Sequence, residues 1–343
     1  MNNRNKALLI FGLGLVVIFI TVSYLRKDNP RLQLVTGQTM GTIVYNVKVI
    51  APPITGLKAE IDQVLWDLNQ SLSTYIPESD ISQLNREGHL LLESSYFVDV
   101  LNASKLVYDK TNGSFDPTIG PLVMAWGFGP DKTVPDLDSA EVDSLKSLTG
   151  FDKVLFDERQ ITLPENFQLD FSAIAKGYAV DLVADILEKR GIGDYLVEIG
   201  GEVRCKGYNE EGKSWSLGIE DPTVQKNEQK LLAIVRLKDK SLATSGNYRN
   251  YYQKNGRTYA HIINPVTGYT ATHNLLSASV FAENCMLADA YATAFMVLGV
   301  EGSKKIIAKE NIDAILIFQN DTGELESFVS EGISSFVELN RAK

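Results

Sequence analysis

Cysteine is scarce in this 343-residue chain: Cys205 and Cys285 are the only two, 80 positions apart. That spacing offers no metal or dithiol redox motif, while a single disulfide in an exported protein and two buried free thiols both stay open. Basic charge is also in short supply, with 33 Lys and Arg against 43 Asp and Glu, a net charge of −10 and a pI near 5.0. Nucleic acid is therefore excluded as a natural partner, because phosphate-backbone binding draws its affinity from clustered cations. An anionic substrate would need help from a metal or from backbone amides. Internal repeats, low-complexity tracts and a convincing internal domain boundary are absent too. The 44% apolar content is enough for a sizeable core, in one large or two smaller domains.

One long apolar run is present. Residues 7–25 are almost entirely apolar, the length a helix needs to cross a bilayer's hydrocarbon core. An Ala-x-Ala-like exit is missing, which favours an uncleaved anchor over a signal peptide, and the run holds no cysteine to accept a lipid. Arg4 and Lys6 precede it and Arg26 and Lys27 follow, so charge does not decide its orientation. The expected layout is an anchor or signal segment at 1–27, a polar tether at 28–36 and a single domain at 37–343.

Periodicity then predicts the elements of that domain. Residues 42–50 alternate as a half-buried strand, and Leu57, Ile61, Val64, Leu65, Leu68 and Leu72 recur at helical spacing. A helix is expected over 95–110, stopped by Asn112 and Gly113, then a Gly- and Pro-rich loop at 113–121 of the kind that carries function. Residues 168–171 read as a strand, 174–190 as a helix closed by Gly191, and 195–205 as a strand containing Gly200 and Gly201. Strands joined by turns follow over 231–269, with a hairpin signal at 254–256. A strand at 276–281, helices at 286–298 and 303–309, a strand at 314–318, a turn at 320–323 and a last strand complete the chain. Strands and helices mix without regular βαβ alternation, so the fold class is α+β, with largely antiparallel sheets flanked by helices and one transmembrane helix in front.

Three segments hold candidate chemistry. Asp289 and Thr293 stand four apart, which on a helix puts two hard oxygens on one face, as a Mg²⁺ site requires; a helix-start acid and an ordinary helical threonine is the bland alternative. Asp170 sits where a strand would give way to a helix, with Ser172 placed to cap it and the first free amides placed to meet a phosphate. A strand-to-helix connection with a capping serine accounts for the same residues. His261 lies just past the hairpin and before Gly268, and an imidazole with a pKa near 6.5 can take a proton from an attacking hydroxyl. A structural histidine on a strand is the competing reading; His89 and His273 have no comparable setting.

In order along the chain stand QTMGT at 38–42, LSTY at 72–75, GSFDP at 113–117, DFSAIAKG at 170–177 and EIGG at 198–201. TSG at 244–246 with Tyr251 and Tyr252, HIINPVTG at 261–268 and ADAYAT at 288–293 follow. Together these eight motifs resemble the ApbE family of FAD:protein FMN transferases, formerly described as thiamine-biosynthesis lipoproteins, over residues 35–298. The resemblance implies an FAD site lined by Met40, Tyr75, Ser114, Phe115, Asp116, Asp170, Lys176 and Ile262. It implies Mg²⁺ held by Asp289, Thr293 and the carbonyl of Ala173. Three positions depart from the pattern: Asn264 where the family usually has Asp, Lys176 where some members have Glu, and Ala292 where some have a second Asp.

Joining the FMN phosphate of FAD to a protein hydroxyl is phosphoryl transfer with AMP leaving, a reaction governed by positioning and charge neutralisation. The expected catalytic residues are Asp289, through the metal, and His261 as proton acceptor. The resemblance implies an acceptor Thr or Ser in a flavoprotein subunit of a membrane or extracytoplasmic electron-transfer system. The domain would then lie on the outer side of the cytoplasmic membrane. An FAD pyrophosphatase releasing free FMN would share the same contacts, and a flavin-binding membrane protein without catalysis is the third reading.

Overall fold

The computed structural model describes residues 29–129, 136–224, 230–247, 251–254 and 257–340; the apolar run at 7–25 lies outside them. The fold is α+β. Eight strands form one sheet in the order Arg31–Thr39, Ile43–Ala51, Tyr195–Ile199, Glu202–Lys206, Lys240–Gly246, Leu275–Ala282, Asp313–Gln319 and Leu325–Val329, and every neighbouring pair is antiparallel.

Successive side chains on a strand point to opposite faces, and this sheet buries both. Tyr195, Val197, Ala314 and Leu316 face one core, while Leu196, Ile315 and Ile317 face another. Helices Leu57–Leu72, Ala175–Lys189 and Cys285–Glu310 cover the first face; the second lies against a smaller sheet, Val337–Leu339, Leu231–Leu237 and Trp215–Glu220. Full burial of an aliphatic side chain contributes about 1.5–3 kcal/mol, so the two cores make the sheet a rigid support. Cys285 belongs to the first core and Cys205 to the second; both are free thiols. The sheet separates them, which removes the disulfide.

Helix Cys285–Glu310 runs through the middle of the domain. Asn284 caps it, its Oδ1 accepting from Leu287 N–H at 2.9 Å. Two further amides at that end, those of Cys285 and Met286, donate to the Asp181 carboxylate at 2.9 and 2.8 Å, and Arg204 pairs with Asp181 at 2.9 Å. A carboxylate from a neighbouring helix thus satisfies orphan donors and meets the positive end of the dipole. The two helices expected over this stretch form one run broken at Gly299, whose φ of 68° lies in the left-handed region.

Four local expectations are corrected. The segment expected as a tether at 28–36 enters strand Arg31–Thr39 at its fourth residue; its inward positions are Gln33, Val35 and Gly37, with Leu32 and Leu34 outside, so the alternation is inverted relative to hydropathy. Residues 168–171 are not a strand. The strand expected at 195–205 is a hairpin, because Gly200 and Gly201 both take positive φ, 63° and 105°, and turn the chain between Ile199 and Glu202. Helix Ala175–Lys189 starts after Ile174, and Ser172 does not cap it. The hairpin expected near 254–256 pairs Tyr251–Lys254 with Arg257–Ala260, while residues 255 and 256 lie outside the described set.

Candidate active site

Helices Ala175–Lys189 and Cys285–Glu310 cross at Gly177. A Cβ there would come within 2.2 Å of the Cys285 carbonyl oxygen and 2.8 Å of Asp289 Cβ, so only glycine permits the approach. The gain is a hydrogen bond: Gly177 N–H donates to Asp289 Oδ2 at 2.9 Å. A regular helical turn would send that amide to the carbonyl of Ala173, which is left without this partner. Asp289 is 2% exposed, and its other oxygen, Oδ1, lies 3.5 Å from Lys176 Nζ.

Lys176 Nζ is also 2.9 Å from Glu202 Oε1. Burial works against a charged amine, yet Asp289 and Glu202 outweigh it and hold the Lys176 ammonium above the usual lysine range. Burial likewise drives the Glu202 carboxyl upward, with Lys176 opposing and Asp289 reinforcing the shift. One turn along from Asp289, Thr293 Oγ1 sits 3.2 Å from Ser245 Oγ.

The opposite wall is built from loops pinned to one another. Asn85 bonds both backbone groups of Leu169, Nδ2 donating to its carbonyl at 2.9 Å and Oδ1 accepting from its amide at 2.7 Å. Asp170 N–H donates to the Pro117 carbonyl at 2.8 Å, and the Asp170 carboxylate accepts from Ser172 N–H at 2.7 Å. That bond closes a turn ahead of the helix and does not cap it. The first-turn amides are already committed, Ala175 to Phe171 and Gly177 to Asp289, so the phosphate-facing amides expected there are largely occupied. Asp116 Oδ1 accepts from the amide and hydroxyl of Thr118 at 2.8 and 2.6 Å; burial pushes its carboxyl up, against those hydrogen bonds.

His261 closes the third side, its ring edge-on to Phe128 at 6.4 Å between centroids. The turn behind it is held by Asn264, whose Oδ1 accepts from Val266 and Thr267 amides at 2.9 and 3.2 Å. An aspartate oxygen would make the same bonds, so the departure at Asn264 leaves this turn intact.

These walls enclose one cavity of about 680 Å³, of the size that takes a cofactor-sized ligand. Of the twelve residues singled out from sequence, eleven line it: Tyr75, Ser114, Phe115, Asp116, Asp170, Ala173, Lys176, His261, Ile262, Asp289 and Thr293. Met40 does not. It sits at the tip of the first hairpin with φ 46°, and its side chain packs on the helix-side core. Sequence reading gave no role to Glu202, Asn85 or Ser245, all of which line the cavity, although Ser245 lies within the TSG motif at 244–246. Glu202 directly follows the Gly-Gly turn, a signal overshadowed by Glu198, which instead holds that turn by accepting from Gly201 N–H at 2.8 Å.

The cavity brings together a buried carboxylate on one helix, a lysine on another and a histidine on a third side, groups that can hold a cation and accept a proton. The model of the ApbE family matches residues 40–316, and the chain belongs to that family. An FAD:protein FMN transferase of Vibrio cholerae is 36% identical over 321 residues, covering 90% of this chain and 94% of its own. Among solved structures, the flavin transferase ApbE of Vibrio cholerae matches with a TM-score of 0.80 at 34% identity, covering 90% of this chain and 99% of its own. The apo flavinyl transferase ApbE of Pseudomonas stutzeri matches with a TM-score of 0.80 at 32% identity, covering 90% and 97%.

Proposed function

We propose that this chain is a flavin transferase that moves the FMN half of FAD onto a Thr or Ser hydroxyl of another protein and releases AMP. The observation that carries the reading is the convergence of eleven motif residues, drawn from five separate stretches of sequence, on a single cavity. In the reaction the acceptor oxygen bonds to the FMN phosphorus, the pyrophosphate P–O bond to AMP breaks, and the acceptor's proton passes to His261.

The cavity's charge explains why a cation belongs in it. Four carboxylates line it, Asp116, Asp170, Glu202 and Asp289, against two fixed cations, Arg86 and Lys176. A pyrophosphate would be repelled without further positive charge. The donors fit Mg²⁺: Asp289 Oδ1 is free of backbone bonds, Thr293 lies one turn away, and the Ala173 carbonyl lacks its helical partner. When bound there, Mg²⁺ would neutralise charge on the pyrophosphate oxygens. Asp289 fixes that position through Gly177, Lys176 offers an ammonium to the phosphates, and the Asp170 and Ser114–Asp116 loops shape the flavin side. Ala292 is fully buried in the core, so the metal would take its remaining ligands from water and substrate.

The apolar run at 7–25 would hold the enzyme on the cytoplasmic membrane, with the domain on the outer side beside a membrane-bound acceptor subunit. Sharing one membrane raises the effective concentration of enzyme and target. The chemical reading is tested by measuring AMP release from FAD with Mg²⁺ and with EDTA. Metal-dependent AMP supports it, and FAD binding without AMP would leave only a flavin-binding protein.

A further inference from the structure

Lys176 Nζ stands between two carboxylates that are not equivalent. Asp289 has one oxygen tied to Gly177 N–H at 2.9 Å, so Oδ1, the oxygen 3.5 Å from Lys176, is the one that would take a cation. A divalent ion at about 2.0–2.1 Å from that oxygen and an ammonium beside the same atom repel each other. Glu202, at 2.9 Å from Nζ, is then the remaining carboxylate in ion-pair range of Lys176.

Glu202 is built into the wall rather than placed on it. Its side chain is 4% exposed, at the first position after the Gly200–Gly201 turn. A Cβ on Gly200 would lie 2.9 Å from Ile43 Cγ2 and 3.6 Å from both Glu202 Oε2 and Lys176 Cδ, so the turn leaves room for the pair. Oε2 has no hydrogen-bond partner among the described residues. A buried acceptor left without a partner is destabilising, a poor arrangement for a pair whose purpose is stability. Glu202 and Lys176 both line the cavity, so the pair stands where a ligand can meet it.

Resting on the reading of the cavity as an FAD and cation site, we propose that Glu202 is a positioning residue: it holds the Lys176 ammonium against the substrate's phosphates once a cation occupies Asp289. Glu202 acts on FAD through Lys176, and the two residues work as one unit.

A double-mutant cycle on the full chain tests this, with FAD affinity in Mg²⁺ read from flavin fluorescence and folding checked by thermal melting. Glu202→Gln keeps the shape and removes the charge. The expected result is FAD affinity about tenfold weaker in Glu202→Gln and in Lys176→Met, with the double variant no weaker than Lys176→Met alone. Losses that add in the double variant would show Glu202 acting independently and overturn the proposal. So would unchanged or tighter FAD binding in Glu202→Gln, the outcome if its negative charge merely repels the ligand. Should Glu202→Gln fail to fold, Lys176→Met with Glu202 intact decides: wild-type FAD affinity there overturns the proposal. A wild-type chain that binds no FAD would instead overturn the reading of the cavity, and the role of Glu202 with it.

Discussion

Gly177 N–H donates to Asp289 Oδ2 at 2.9 Å across a helix crossing with no room for a methyl group. Gly177→Ala should therefore do two things at once. Overpacking of this kind costs roughly 1–3 kcal/mol, seen as a lower urea midpoint, and metal-dependent AMP release should fall with it because Asp289 loses its fixed orientation. A variant with normal stability and normal turnover would show the crossing to be looser than the structure has it.

The Asn85 side chain holds the Asp170 loop through two hydrogen bonds to the backbone of Leu169. Asn85→Ala should raise KM for FAD about tenfold while the cation affinity, set on the opposite wall, stays near wild type; titration calorimetry with Mg²⁺ separates the two.

His261 is assigned the acceptor's proton. His261→Ala should lower the rate of flavin transfer by about 10²- to 10⁴-fold, with FAD affinity little changed. An unaltered rate would move the base elsewhere in the cavity.

His273 serves stability. Its Nε2–H donates to the Met296 carbonyl at 2.6 Å and Nδ1 accepts from Leu275 N–H at 3.3 Å, an arrangement open only to the neutral ring. Burial holds its pKa below the usual value. In the window between the lowered folded pKa and the unfolded value near 6.5, the unfolded chain binds more protons, so stability rises with pH. The urea midpoint should fall as pH drops below about 6.5, and the fall should be smaller in His273→Asn.

Both thiols should resist thiol reagents in the native protein and react only on unfolding. Cys285 is fully buried, and burial pushes the Cys205 thiol up to about 12, which suppresses the reactive thiolate. Intact mass should be the same before and after reduction.

Much of this was legible in the sequence where one physical signal dominated. The helix at 95–110 announces itself by period and by the Asn112–Gly113 stop, and the structure has Ser95–Lys110. The strand at 31–39 was hidden because its leucines face outward and its inward positions include Gln33 and Gly37. The Gly200–Gly201 hairpin was read through as one strand, since neighbouring Ile199 and Val203 are apolar on both sides of the turn. At the site, Asp289, Thr293 and Lys176 stood out through motif and spacing. Asn85 and Glu202 did not, because their roles depend on partners 84 and 26 positions away in the chain.

The central claim is tested most directly by incubating the protein with FAD, Mg²⁺ and a candidate flavoprotein subunit and weighing the acceptor intact. The account predicts a mass gain of one FMN on a single Thr or Ser, with AMP released, and loss of both with EDTA or in Asp289→Ala. AMP and free FMN with an unmodified acceptor, across a panel of such subunits, would contradict transfer and identify hydrolysis.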